Sequence, residues 1–162
     1  DVAGQPMIDF VVRGEGEETF SELLDCINNR VNNFEKIQGI TYKADGIIRR
    51  NPRRELIPDL DNLPFPEKEA VWSPSLYTER ELGCLSTSRG CPYSCQFCCS
   101  HEIWGRGVRT RDIDSVISEV QYLYEKRNVT YFVIYDENFT LDRRRVFQFC
   151  DSIAKERLCI MF

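Results

Sequence analysis

Three cysteines in the run Arg89-Gly90-Cys91-Pro92-Tyr93-Ser94-Cys95-Gln96-Phe97-Cys98 constrain this chain more than any other feature. Thiolates spaced by three residues and then two, on one loop, can hold three irons of a four-iron, four-sulfur (4Fe-4S) cluster. An iron site used only for electron transfer is normally closed by four protein ligands. A trio leaves one iron open to a small molecule, which points to chemistry. Two alternatives stand beside this. Cys95-x-x-Cys98 could be half of a zinc site, although no second Cys-x-x-Cys exists and the sole histidine, His101, lies close to the same loop. Cys99 could replace Cys98 as a ligand. Cys26, Cys84, Cys150 and Cys159 fall in apolar segments and are expected to pack as small hydrophobes.

The chain is 162 residues long, 42% hydrophobic and 29% charged, which fits one ordinary globular domain or two partial ones. The cysteines cluster unevenly instead of forming a disulfide framework, and no signal peptide precedes them. A reducing cytoplasmic setting is therefore expected. No apolar run is long enough for a membrane span. A net charge of −5 gives no electrostatic footprint for nucleic acid. The runs Arg49-Arg50, Arg53-Arg54 and Arg143-Arg144-Arg145 are expected to be solvated faces. The chain starts without methionine and stops at Phe162 inside an expected strand, which suggests a piece of a longer enzyme.

Residues 8–13 read as a strand. Gly14-Glu15-Gly16-Glu17 makes a turn, and Phe20, Leu23, Leu24, Ile27 and Val31 follow at helical spacing. Strand, glycine turn and helix form a unit of a doubly wound sheet. Ile40-Thr41-Tyr42 and Ile47-Ile48 flank Asp45-Gly46, a two-residue hairpin signal. Pro52, Pro58, Pro64, Pro66 and Pro74 mark residues 51–80 as a linker, in which Leu60, Leu63, Phe65 and Trp72 are expected to seek burial. Leu82 to Thr87 is expected to be a strand entering the cysteine loop. Asp112 or Asp114 caps a helix carrying Ile113, Val116, Ile117, Val120, Leu123 and Tyr124. Val129 to Tyr135 is a strand, Asp142 caps the next helix, and Leu158 to Phe162 begins another strand. This alternation predicts a parallel sheet. Its functional loops lie at the C-terminal strand ends, where both the cysteines and Asp136-Glu137-Asn138 fall.

The cysteine spacing, with aromatic Phe97 before the last cysteine, resembles the cluster motif of the radical S-adenosylmethionine (radical SAM) superfamily. The resemblance implies that Cys91, Cys95 and Cys98 ligate a 4Fe-4S cluster whose open iron binds S-adenosylmethionine, and that a 5′-deoxyadenosyl radical is generated. It also implies that Phe97 packs near the adenine and that Asp136, Glu137 and Asn138 reach the amino group, at a position where Gly-Gly-Glu is commoner. An Asx turn is the plain alternative for Asp136 or Asn138, and loop packing for Phe97. In Trp104 to Arg111, Arg109 or Arg111 could meet the carboxylate; a surface or helix-approach role is equally open.

The run Val11-Val12-Arg13-Gly14-Glu15-Gly16-Glu17-Glu18-Thr19-Phe20, followed by Leu60-Asp61-Asn62-Leu63-Pro64-Phe65-Pro66, looks like the end of the cobalamin-binding domain and its linker in cobalamin-dependent members. The implied α/β fold has three parts. Residues 1–50 are the end of a Rossmann-like cobalamin-binding domain, 51–80 the linker, and 81–162 the first βα units of a partial (β/α) barrel. Gly14, Glu15 and Gly16 would lie near the cobalamin, though an ordinary βα turn also explains them. No Asp-x-His-x-x-Gly cobalt-ligand motif is present. The implied activity is methyl transfer to an unactivated carbon, with radical cyclisation, rearrangement or methylthio transfer as alternatives. A metal-stabilised binding module is the alternative of another class. Expected partners are a small-molecule or peptide substrate and a reductant such as flavodoxin or ferredoxin.

Overall fold

The computed structural model describes residues 2–65 and 73–162, so the expectations for Pro66 and Trp72 lie outside the described residues. The chain is mixed α/β and divides into two compact units, Asp1–Ile57 with Ser94–Gly105, and Pro58–Tyr93 with Arg106–Phe162.

In the first unit, β1 (Phe10–Val12), β2 (Ile40–Ala44) and β3 (Ile47–Arg50) form one sheet in that order. The Asp45-Gly46 turn forms as expected. Both residues have positive φ, 53° and 74°, the requirement of a two-residue hairpin whose twist matches its strands. The pairing of β1 differs from the doubly wound expectation, because β1 runs antiparallel to β2 with Val12 opposite Ile40. After α1 (Glu17–Asn28), residues 29–39 bring the chain back to the end where β1 finished, so β2 leaves in the opposite direction. Leu23, Ile37, Ile40 and Tyr42 make the core, with Phe10, Val12, Cys26 and Phe34 around them. Only one narrow stripe of α1 is buried, Thr19 and Leu23; Phe20, Leu24, Ile27 and Val31 are exposed. Gly39 has φ +82°, and a Cβ there would stand 2.9 Å from the Thr19 hydroxyl.

In the second unit, α2 (Glu79–Leu82) precedes β4 (Cys84–Leu85), shorter than the expected strand, and the chain then forms β5 (Ser88–Arg89). After α3 (Ser100–Trp104) of the first unit comes β6 (Arg109–Thr110), which pairs antiparallel with β5. The helix α4 (Ile113–Arg127) is capped by Asp112, which accepts from the Asp114 amide, and ends at Asn128 in the left-handed conformation. β7 (Val133–Ile134) pairs parallel with β4, and Tyr131 bridges Met161 in parallel, as the βα alternation predicts. Asp142 caps α5 (Arg143–Glu156) through the Arg144 and Arg145 amides. Leu85, Val120, Leu123, Val129 and Phe132 form one core cluster, and Val116, Ile117 and Phe149 a second. Cys84, Cys150 and Cys159 are exposed, which corrects their assignment to the core; Cys26 is half-buried. Cys150 follows buried Phe149 by one residue, and a 100° step around the helix turns it to solvent. Among the described residues, no helix is long and apolar enough to cross a membrane.

The entry to β4 is pinned by carboxylates. Glu79 accepts from the Thr130 hydroxyl and amide and from the Tyr131 amide, which holds its carboxyl below the usual range. Glu81 is lowered by bonds from the Thr78 amide and then the Thr78 hydroxyl to its carboxylate; the first of these, with the Glu81 amide donating to the Thr78 hydroxyl, makes a capping box. Groups depressed on folding contribute stability above their unfolded pKa and lose it as pH falls through the lower folded value. The double variant Glu79→Gln, Glu81→Gln is therefore expected to flatten the acid-side decline of stability, followed by denaturant titration from neutral to about pH 3. An unchanged slope would contradict these pairings.

Candidate functional site

The approach to the cysteine loop is held by a polar knot. Thr87 and Ser88, both buried, lie between β4 and the Arg89-Gly90-Cys91 run. The Thr87 and Ser88 amides donate to Asp136 Oδ1 at 2.7 and 3.1 Å, and their hydroxyls donate to Oδ2 at 2.6 and 2.7 Å. The Thr87 carbonyl accepts from the Arg111 amide at 2.9 Å and from Arg145 Nη2 at 3.1 Å. Burial lowers the Arg145 pKa, while Asp136, Asp112, Asp142 and Asp61 pull it up. Arg145 is thus half-buried and bonded, not part of a solvated basic face.

The three residues expected to reach the amino group of S-adenosylmethionine separate into different roles. Asp136 is bonded as above. Glu137 Oε2 accepts from the Gly90 amide at 3.2 Å, one residue before Cys91, where Gly90 takes φ +93°. Asn138 Oδ1 accepts from the Thr140 hydroxyl at 3.3 Å. All three residues are half-buried at the C-terminal end of β7, beside the C-terminal end of β4.

All eight cysteines are thiols. Cys91 is half-buried; Cys95 and Cys98 are exposed. The Cys98 amide donates to the Cys95 carbonyl at 3.1 Å, closing a turn across Gln96-Phe97, and Cys98 Sγ lies 3.2 Å from the Ser100 hydroxyl. Cys99 caps α3. Among the described residues, no three His, Cys, Asp or Glu side chains are gathered closely enough to hold a metal. The donor chemistry nonetheless fits an iron–sulfur group, since three thiols fall within eight consecutive residues, Cys91 to Cys98. Phe97 is 93% exposed, so an apolar ring stands in solvent on that loop. His101 pairs with Glu102 at 3.2 Å.

Arg111 is committed to the fold. It pairs with buried Glu119, donates to the Ser86 carbonyl and the Ser115 hydroxyl at 3.2 Å each, and stacks 5.4 Å from the Phe65 ring centroid. Burial pushes the Glu119 carboxyl up, against the pull of Arg111. Arg109 lies on β6 opposite Arg89.

In the Gly14-Glu15-Gly16 turn, Gly14 has φ +78° with open space around its Cβ position, and Gly16 caps α1. Glu15 is buried and accepts from the Ile57 amide at 2.7 Å. Arg54 bonds Thr19 at 2.9 Å and pairs with Glu18 at 3.2 Å and with Glu22. Glu15 and Arg54 therefore hold the 54–57 segment against the first unit.

Sequence reasoning missed Thr87, Ser88 and Arg145. No motif marks two hydroxyl residues ahead of the Arg89-Gly90 pair. The basic run containing Arg145 gives no sign that one member turns inward.

No family model matches the chain. It is 35% identical over 156 residues to an uncharacterised methyltransferase of Pyrococcus horikoshii, covering 96% of this chain and 34% of that protein. It is 30% identical over 162 residues to an anaerobic magnesium-protoporphyrin IX monomethyl ester cyclase of Rubrivivax gelatinosus, covering 97% and 29%. A cobalamin-dependent radical SAM methyltransferase, TokK of Streptomyces tokunonensis, is 28% identical over 161 residues, covering 94% and 23%. Among solved structures, the radical S-adenosylmethionine methyltransferase TsrM of Kitasatospora setae superposes with a TM-score of 0.70 at 21% identity. That match covers 93% of this chain and 30% of TsrM. The chain spans about a third of the length of the first two relatives.

Proposed function

The chain belongs to the radical SAM superfamily, among its cobalamin-dependent members, and we propose that it carries the radical-generating part of a methyltransferase acting on an unactivated carbon. One observation carries this reading. The chain leaves the C-terminal end of β4 and passes through β5 into the Cys91 loop, the Asp136-Glu137 loop leaves the C-terminal end of β7, the parallel neighbour of β4, and Glu137 bonds the amide just before Cys91. Ligand sites in such sheets lie at those strand ends.

Cys91, Cys95 and Cys98 ligate the 4Fe-4S cluster, and Glu137, Asn138 and Phe97 hold S-adenosylmethionine. A bound cluster would supply the one electron that breaks the C5′–S bond of S-adenosylmethionine, giving methionine and a 5′-deoxyadenosyl radical. The chain's own residues set the geometry. Glu137 fixes the backbone before the first thiolate, and the polar side chains beyond β7 offer acceptors for an ammonium. Phe97 offers an apolar face for a nucleobase. Residues 1–50 are the end of a cobalamin-binding domain, with Gly14 and Gly16 the positions whose backbone can approach the cofactor. Residues 51–80 link it to the first βα units of a partial barrel, 81–162. The substrate is a small molecule or peptide, and a flavodoxin or ferredoxin supplies electrons. The relative named as a cyclase favours ring closure as the second reading.

The test uses the longest natural chain carrying this sequence, reconstituted anaerobically. Roughly four irons and four sulfides per chain are expected, with cleavage of S-adenosylmethionine to 5′-deoxyadenosine. Label transferred from a methyl-labelled cofactor to product separates methyl transfer from ring closure. Stoichiometric zinc without cleavage would remove the enzyme reading.

A further inference from the structure

Four donors meet one carboxylate at Asp136. A carboxylate has about four acceptor positions, two on each oxygen. Here each oxygen takes one bond from Thr87 and one from Ser88, at 2.6–3.1 Å. The acceptor capacity is filled by protein. The donors come from two consecutive residues, so the contact fixes both the path of the backbone and the rotors of two buried side chains. On the other side, the Thr87 carbonyl is held by the Arg111 amide and Arg145. Three residues after Ser88 comes Cys91.

We infer that Asp136 is a positioning residue that locks Thr87-Ser88 and so fixes where the chain enters the cysteine loop, leaving ammonium recognition to Glu137 and Asn138. The inference rests on the reading of 91–98 as the cluster loop. Its core, the lock itself, does not need a bound cluster. A half-buried carboxylate bonded across the two strand ends couples them: movement of the β7 loop is transmitted to the backbone that presents Cys91. Such coupling needs a rigid, fully bonded contact, because an exposed pair would be screened and mobile.

Amide hydrogen exchange at Thr87 and Ser88 tests this directly, without cofactors, on the longest natural chain. Asp136→Ala is expected to speed exchange at both amides by about tenfold or more, since each belongs to a buried residue and loses its acceptor. Asp136→Asn keeps an oxygen for the amides and is expected to restore protection to within about threefold of the parent. Thr87→Val removes one donor from the other side and is expected to speed exchange at Ser88 about threefold. In the reconstituted protein, Asp136→Ala should alter the cluster's electron paramagnetic resonance line shape, and Asp136→Asn should bring it back. Unchanged exchange in Asp136→Ala overturns the inference. So does an Asp136→Asn variant with parental exchange but S-adenosylmethionine affinity as weak as that of Asp136→Ala, because the carboxylate would then be a ligand. If Asp136→Ala unfolds the chain, seen as exchange throughout α4, the Ser88 response in Thr87→Val decides. Failure of the parent to assemble any cluster would strike the proposed function and leave the exchange result standing.

Discussion

Cys95→Ala is expected to abolish cluster assembly, reducing bound iron to background after anaerobic reconstitution. The reason is ligand count. Three thiolates already leave one iron without a protein ligand; with two, a second iron loses its anchor and the group is open to solvent and thiol competitors. Cys95 is exposed and touches no core cluster, so the variant should fold as the parent does, and loss of iron then reports ligation. The neighbouring thiols supply the control. Cys99 caps α3, and Cys99→Ala should keep its iron, whereas Cys98→Ala should lose it. Full iron in Cys95→Ala would refute the ligand assignment, and iron lost from Cys99→Ala but kept in Cys98→Ala would shift the register by one.

Gly83→Ala is expected to be the most damaging single methyl in the second unit. A Cβ at Gly83 would stand 2.1 Å from the Tyr131 carbonyl oxygen and 3.2 Å from the Glu79 carbonyl. The obstruction is backbone, with no flexible side-chain end to swing aside. Gly83 also accepts from the Val133 amide at 2.9 Å, the first bond of the β4–β7 pairing. Relieving the clash means parting the two strands whose ends carry the candidate site. Overpacking of this kind costs about 3 kcal/mol, and loss of the adjoining bond adds about 1 kcal/mol. Chemical denaturation of Gly83→Ala against the parent measures it. A loss below about 1 kcal/mol would show that the backbone yields there.

The site was legible where local chemistry is short-ranged. Cys91, Cys95 and Cys98 stand in one run, and Asp136 to Asn138 follow a strand that β-branched and aromatic residues announce. The Asp45-Gly46 hairpin, the Asp112 and Asp142 caps and the parallel β4–β7 pairing came from the same kind of signal. The direction of β1 did not, because strand propensity is indifferent to whether a partner runs parallel or antiparallel. Nor did the exposure of Phe20, Leu24 and Ile27, since apolar periodicity marks a face without saying what covers it.

The sequence by itself determined the spacing of the cysteines, the helix caps, the turns and the alternation of strand and helix, all of which act within a few residues. Only the tertiary structure decided that Asp136 spends its carboxylate on Thr87 and Ser88, that Arg111 and Arg145 are bonded inward, and that Gly83 admits no side chain. Those contacts join residues some 25 to 58 positions apart. Hydrogen-bond capacity and excluded volume assign such roles only after the chain has brought the groups together.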